Sequence, residues 1–168
     1  DKLMGVKALS TNFVTLSDCR VPAENRLGGE VGIDFSLILN HSRVALGASA
    51  VGVARAGFEY ARDYAKQRVQ FGEPIAHRQS IAFMLADMAT EVDEARLLVW
   101  EVAWLLDQGK DATRDATIMK QQVDRMVVQV ADRAVQVLGG YGYIREYPVE
   151  LWLRNARGFT SFDGLAII

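Results

Sequence analysis

Two stretches of the chain step through apolar residues by threes and fours, the spacing of one buried helical stripe. In the first, Ile81, Met84, Leu85, Met88, Val92, Ala95, Val99, Val102 and Leu106 carry the stripe, with Asp87, Glu91, Asp93, Glu94 and Arg96 between them. Gln108-Gly109-Lys110-Asp111 ends it. The second repeats the pattern with Met119, Val123, Met126, Val127, Val130, Ala134 and Val137 and halts at Gly139-Gly140. The short turn between them predicts two antiparallel helices. Upstream, no proline interrupts the chain from Ile33 to Pro74, and Ala45, Gly47, Ala48, Ala50, Gly52, Ala54 and Gly57 crowd the middle. This predicts a long helix from about Ile33 to about Arg68, deep in a bundle, where small residues let neighbours approach and packing offsets the cost of helical glycine. Phe71-Gly72-Glu73-Pro74 breaks the chain before the next helix.

The flanks read differently. Residues 6 to 21 space Val6, Leu9, Phe13, Val14, Leu16, Cys19 and Val21 among Ser, Thr and Asp, which predicts one or two short strands ending at Val21-Pro22. A polar, glycine-bearing loop follows over residues 23–30. Tyr147-Pro148 opens a short helix through Trp152 to Ala156, and residues 158–168 begin loop-like and close on an apolar turn. The expected fold is all-α, an up-and-down four-helix bundle preceded by a short β segment.

Composition narrows the function without supplying one. The 168 residues are 50% hydrophobic and 24% charged, enough for one core and short for two. A net charge of -2 gives no basic excess for nucleic-acid phosphates. Arginine outnumbers lysine, 14 to 5, a bias that suits bidentate recognition of phosphate and carboxylate and that GC-rich codon usage also produces. One cysteine, Cys19, excludes an internal disulfide, and with His41 and His77 as the sole histidines no zinc site of cysteine and histidine can form. No uninterrupted apolar run approaches the length of a membrane span, and the first residues read as neither signal nor transit peptide. A reducing, cytoplasmic setting is expected, or the mitochondrial matrix in a eukaryote. Periodicity assigns no chemistry: Gly139-Gly140-Tyr141-Gly142 follows a helix rather than a strand and reads as a helix cap and turn, and Asp163-Gly164 as a turn.

Four ordered segments carry more. Arg68-Val69-Gln70-Phe71-Gly72-Glu73-Pro74-Ile75, Gln136-Val137-Leu138-Gly139-Gly140-Tyr141-Gly142-Tyr143, Glu146-Tyr147-Pro148-Val149-Glu150 and Arg154-Asn155-Ala156-Arg157 resemble, at family-like spacing, the C-terminal half of the acyl-CoA dehydrogenases. The resemblance implies that residues 1–30 are the tail of a middle β-domain with its linker, and residues 31–168 a C-terminal helical bundle domain. An N-terminal helical domain, most of the β-domain and a last helix would lie outside this chain. It also implies FAD between bundle and β-domain, completed by a neighbouring subunit in a homodimer or homotetramer. Arg68 would meet the FAD pyrophosphate across that interface, since a guanidinium is always charged and can bind two phosphate oxygens. Phe71 and Gln79 would line the same region. Gln136, Gly139 and Gly140 would pass the adenosine half, where a missing Cβ admits close approach.

The implied reaction is α,β-dehydrogenation of an acyl-CoA thioester, with a carboxylate taking the α-proton, hydride passing to flavin N5 and an electron-transfer flavoprotein as acceptor. Where relatives commonly have glutamate in a Glu-Gly-Thr sequence, this chain has Asp163-Gly164-Leu165. Asp163 is thus the candidate base, one methylene shorter, with Gly164 beside it at the substrate. The alternative placement, a glutamate before an arginine on the long helix, fails because Ser42 precedes Arg43. Arg43 itself matches the family arginine near the base. Asn40 stands where several relatives have aspartate near the CoA end. With the departures gathered at the active site, a same-fold flavoenzyme of altered chemistry stays open, either nitroalkane-oxidising or a flavin monooxygenase, as does a non-catalytic helical assembly module.

Overall fold

The computed structural model describes residues 2–8 and 11–163. The long helix α1 spans Phe35–Gln67, starting two residues later than expected because the Asp34 carboxylate caps it, accepting from the Leu37 amide at 3.0 Å. Its buried positions include Gly47, Ala50, Val51, Ala54, Gly57, Ala61 and Ala65. A Cβ on Gly47 would lie 2.8 Å from Met119 Sδ and 3.1 Å from Val99 Cγ2, so this glycine makes the three-helix junction possible. By length and composition α1 is apolar enough to cross a membrane, although no single apolar run suggests it. Its alanine and glycine face is instead packed into the bundle.

After α1 a two-residue hairpin forms, β1 (Val69–Gln70) against β2 (Glu73–Pro74), antiparallel with Gln70 opposite Glu73. Phe71 and Gly72 make the turn at φ +55° and +88°, the left-handed pair such hairpins need. The sequence reads only a break there. Helix α2 (Gln79–Asp107) then runs back, α3 (Thr113–Leu138) returns, α4 (Gly140–Tyr143) is a single turn, and α5 (Val149–Phe159) closes the bundle.

Cross-helix pairs fix the directions. Asn40 meets Thr113, Arg43 meets Thr117 and Gly57 faces Ala134, so α1 and α3 run parallel. Arg133, late in α3, bonds Glu91, early in α2, at 2.8 Å, so α2 opposes both. Tyr60 packs edge-on to Trp152 with centroids 5.8 Å apart, while Lys120 reaches the Phe159 carbonyl, which sets α5 against α3. The up-and-down arrangement is as the periodicity predicts. Met88, Met119 and Met126 are fully enclosed, so the methionine stripe is core.

The expected β segment has no counterpart among the described residues. Among the described residues before Phe35 there is no strand, and Phe13, Val14 and Leu16 are 93%, 82% and 78% exposed. Alternation marks a segment able to pair, but a strand also needs a ladder partner, and the helical bundle supplies none. Residues 4–6 dock on α5 instead: the Val6 amide donates to Asn155 Oδ1 at 2.8 Å and Arg154 Nη1 to the Met4 carbonyl at 2.9 Å.

Candidate active site and cofactor surface

The site residues expected from sequence separate into two groups, at opposite ends of α1 and some 35 Å of helix apart, at roughly 1.5 Å per residue.

At the first end, Arg43 and Asp163 form a two-point ion pair: Nε to Oδ1 and Nη2 to Oδ2, both 2.7 Å. The third guanidinium nitrogen, Nη1, donates to Thr117 Oγ1 at 3.0 Å, and that hydroxyl donates to the Thr113 carbonyl at 2.8 Å. The Arg43 side chain is 12% exposed and that of Asp163 63%. The hydrogen bonds from Arg43 hold the Asp163 carboxyl below the usual aspartate range, against a smaller upward push from burial. The same bonds raise the Arg43 guanidinium. A 260 Å³ cavity lies against this pair, walled also by Lys120, Gln121, Asp124 and the loop from Thr160. Gly164 and Leu165 lie outside the described residues.

Lys120 and Asp124 are absent from the residues that sequence singles out. Their signal is the stripe itself: position 120 falls on the buried face of α3 between Ala116 and Val123, where a lysine is costly without a partner. Nearby, Asn40 is 3% exposed and donates to Thr113 Oγ1 at 3.1 Å, but its Oδ1 is buried without a partner among the described residues. It lines a 420 Å³ cavity with Asp34, His41 and Lys110, between the start of α1 and the α2–α3 turn.

At the second end, Arg68, Gly139 and Gly140 line a 470 Å³ cavity together with Tyr64, Gln70 and Tyr141. The Arg68 guanidinium stands 5.3 Å over the Tyr141 ring and has no carboxylate partner among the described residues. Gly139 adopts φ +60°, ψ −129°, which glycine alone adopts readily, and its amide closes α3 onto the Val135 and Gln136 carbonyls. Burial pushes the Tyr64 hydroxyl up, and Arg68 pulls it partly back. Phe71 is 92% exposed at the hairpin tip, with the Arg78 guanidinium 5.8 Å from its ring. Phe71, Gln79 and Gln136 are exposed and stand outside the cavity lining, so the structure gathers half of the six expected cofactor residues into one cavity.

Comparison with known proteins agrees with the sequence motifs. Residues 35–166 match the family described as acyl-CoA dehydrogenase, C-terminal domain. Over 96% of its length the chain is 43% identical to the Acetobacterium woodii protein named caffeyl-CoA reductase-Etf complex subunit CarC, of which it covers 43%. It is 42% identical to a Bacillus subtilis acyl-CoA dehydrogenase, over 98% of the chain and 44% of the relative. The solved butyryl-CoA dehydrogenase of Megasphaera elsdenii superposes with a TM-score of 0.91 at 38% identity, over 99% of this chain and 44% of that one. The chain thus spans less than half the length of these relatives.

Proposed function

This chain belongs to the acyl-CoA dehydrogenase family, and from that premise we propose that it forms the helical part of an FAD-dependent enzyme that dehydrogenates acyl-CoA thioesters at the α,β bond. The observation that carries the reading is the pair of arginine-centred sites along one helix, a carboxylate clamp toward one end and, at the other, a guanidinium with no carboxylate partner among the described residues.

The second end fits FAD in its donor chemistry. Arg68 is a fixed positive charge without a carboxylate partner among the described residues, Gly139 and Gly140 leave the backbone uncovered, and Tyr141 and Phe71 offer aromatic faces. Arg68 would hold pyrophosphate oxygens and the glycine run would pass the adenosine half, with Gln136, Phe71 and Gln79 at its margin. When bound, FAD supplies the acceptor for the substrate β-hydrogen, which leaves as hydride. The distance along α1 argues that one chain does not present both its ends to one cofactor molecule, which supports a homodimer or homotetramer. The exposed Leu97, Trp100 and Trp104, on one face of α2, supply apolar surface for such assembly.

At the first end, Asp163 takes the α-proton. Its lowered pKa keeps it ionised at neutral pH but makes it a weaker base, and the carboxylate must turn from Arg43 toward the cavity to reach substrate. Arg43 sets the resting position of the carboxylate and its charge balance. Asn40 Oδ1, buried without a partner among the described residues, is an acceptor suited to an amide N–H of the pantetheine arm. An electron-transfer flavoprotein is the proposed electron acceptor, in keeping with the name of the Acetobacterium relative.

The test is anaerobic titration of the natural, FAD-loaded protein with butyryl-CoA and a panel of longer and branched thioesters. Loss of the oxidised flavin absorbance with at least one is the expected result. No bleaching by any thioester, with bleaching by nitroethane or oxygen use driven by a reductase, moves the assignment to a same-fold flavoenzyme of other chemistry.

A further inference from the structure

The geometry points to Lys120 as a positioning residue for the Asp163 loop, held in the core by Asp124 so that its ammonium anchors the last carbonyl of α5. The inference rests on the reading of Asp163 as proton acceptor and deepens it.

Lys120 is 7% exposed, and a buried ammonium is costly unless its protons are taken up. Two acceptors meet it: Asp124 Oδ2 at 2.6 Å and the Phe159 carbonyl at 3.0 Å. Phe159 is the final residue of α5, where the carbonyls run out of helical donors. The same oxygen accepts the Phe162 amide at 3.4 Å, one residue before Asp163. The chain therefore leaves α5 around an atom that Lys120 fixes from α3. Four residues beyond Phe159, Arg43 holds the Asp163 carboxylate from α1. The loop has a tether at its root and another at its tip, across the 260 Å³ cavity.

The root matters because Asp163 is short. A glutamate can correct a displaced backbone with an extra rotatable bond, whereas an aspartate transmits the displacement, and an error of about 1 Å at a reacting group costs on the order of 10²-fold in rate. Core stability alone does not require the pair, since replacing a buried ion pair by apolar side chains of similar volume is often neutral. The charged groups facing Asp163 are Arg43 from α1 and Lys120 and Asp124 from α3, with the Thr117 hydroxyl at Arg43. Lys120 adds to the downward pull of Arg43 on Asp163, while burial holds Asp124 up.

The experiment uses the natural, FAD-loaded protein with Lys120→Met/Asp124→Leu, which removes both charges and keeps an apolar core. The variant is expected to melt near the parent temperature, retain FAD and lose hydrogen-exchange protection at the Ser161 and Phe162 amides. Flavin reduction by butyryl-CoA should slow by about 10-fold or more with half-saturation little changed. Lys120→Met alone should raise the Asp163 carboxyl titration, followed by ¹³C NMR, because a facing cation is lost. Parent-like amide protection in the double variant overturns the assignment, whatever the titration shows. A parent protein that no thioester bleaches would defeat the dehydrogenase reading instead, and the exchange measurement would still decide the role of Lys120.

Discussion

The two ends of α1 solve opposite electrostatic problems. At the Arg43 end the guanidinium is satisfied within the chain: two nitrogens on Asp163 and the third on Thr117. At the Arg68 end the guanidinium faces an aromatic ring and meets no carboxylate among the described residues, beside a glycine run and a hairpin whose tip residue, Phe71, is 92% exposed. A charge satisfied internally fixes geometry, while a charge left without a counter-ion is available to another molecule. In the proposed reading the first end positions a carboxylate and the second receives an anion.

Substitutions should separate the ends, and the largest effect is expected at the first. Asp163→Asn keeps the size and removes the proposed base, so flavin reduction by a thioester should fall by about 10²- to 10⁴-fold with FAD content unchanged in the visible spectrum. Arg68→Ala should do the reverse, weakening FAD retention by about 10- to 100-fold in equilibrium dialysis while the reloaded protein is still reduced. A swapped pattern would erase the contrast. Next in size, Gly139→Ala forces a side chain into φ +60°, ψ −129° and should cost about 1–3 kcal/mol in thermal unfolding, a penalty set by backbone strain.

A finer test is Phe71→Asn. Asparagine tolerates φ +55° better than phenylalanine, so the hairpin should gain up to about 1 kcal/mol while FAD affinity falls, which would show that strain is kept there for binding. The smallest effect concerns pH. The Asp163 pKa is lowered in the folded state, so the stability from its pair with Arg43 is fully present above the ordinary 3.8 and is lost as pH falls through the lower folded value. With a carboxylate 63% exposed, the loss is expected to be small. In Arg43→Gln this acid sensitivity should disappear from unfolding curves recorded between about pH 5 and 2.

The helices were legible because each reports itself locally. The stripes Met88 to Leu106 and Met119 to Val137 are the buried faces of α2 and α3, and the crowding of small residues around Gly47 and Gly57 marked the helix in closest contact with its neighbours. The strand reading of residues 6–21 has no counterpart among the described residues for the complementary reason: a β pattern is a statement about a partner, and alternation cannot say whether one is present. The Phe71-Gly72 turn was missed because phenylalanine is not a residue expected at positive φ. Within the site, motif spacing reached Arg43, Arg68, Gly139 and Asp163, but not Lys120, Asp124 or Thr117, which no motif contains.

The three long helices and the short last one, their order, the break at Phe71-Gly72, the cap at Gly139 and the family could all be read from the sequence, since these depend on residues near one another or on fixed spacing; the single turn α4 could not. The two hydrogen bonds between Arg43 and Asp163, 120 positions apart, the reach of Lys120 to the end of α5 and the lack of a counter-ion for Arg68 among the described residues depend on the tertiary arrangement. Those are properties of which surfaces meet. They follow from the parallel course of α1 and α3 and the return of α5, which no local pattern encodes.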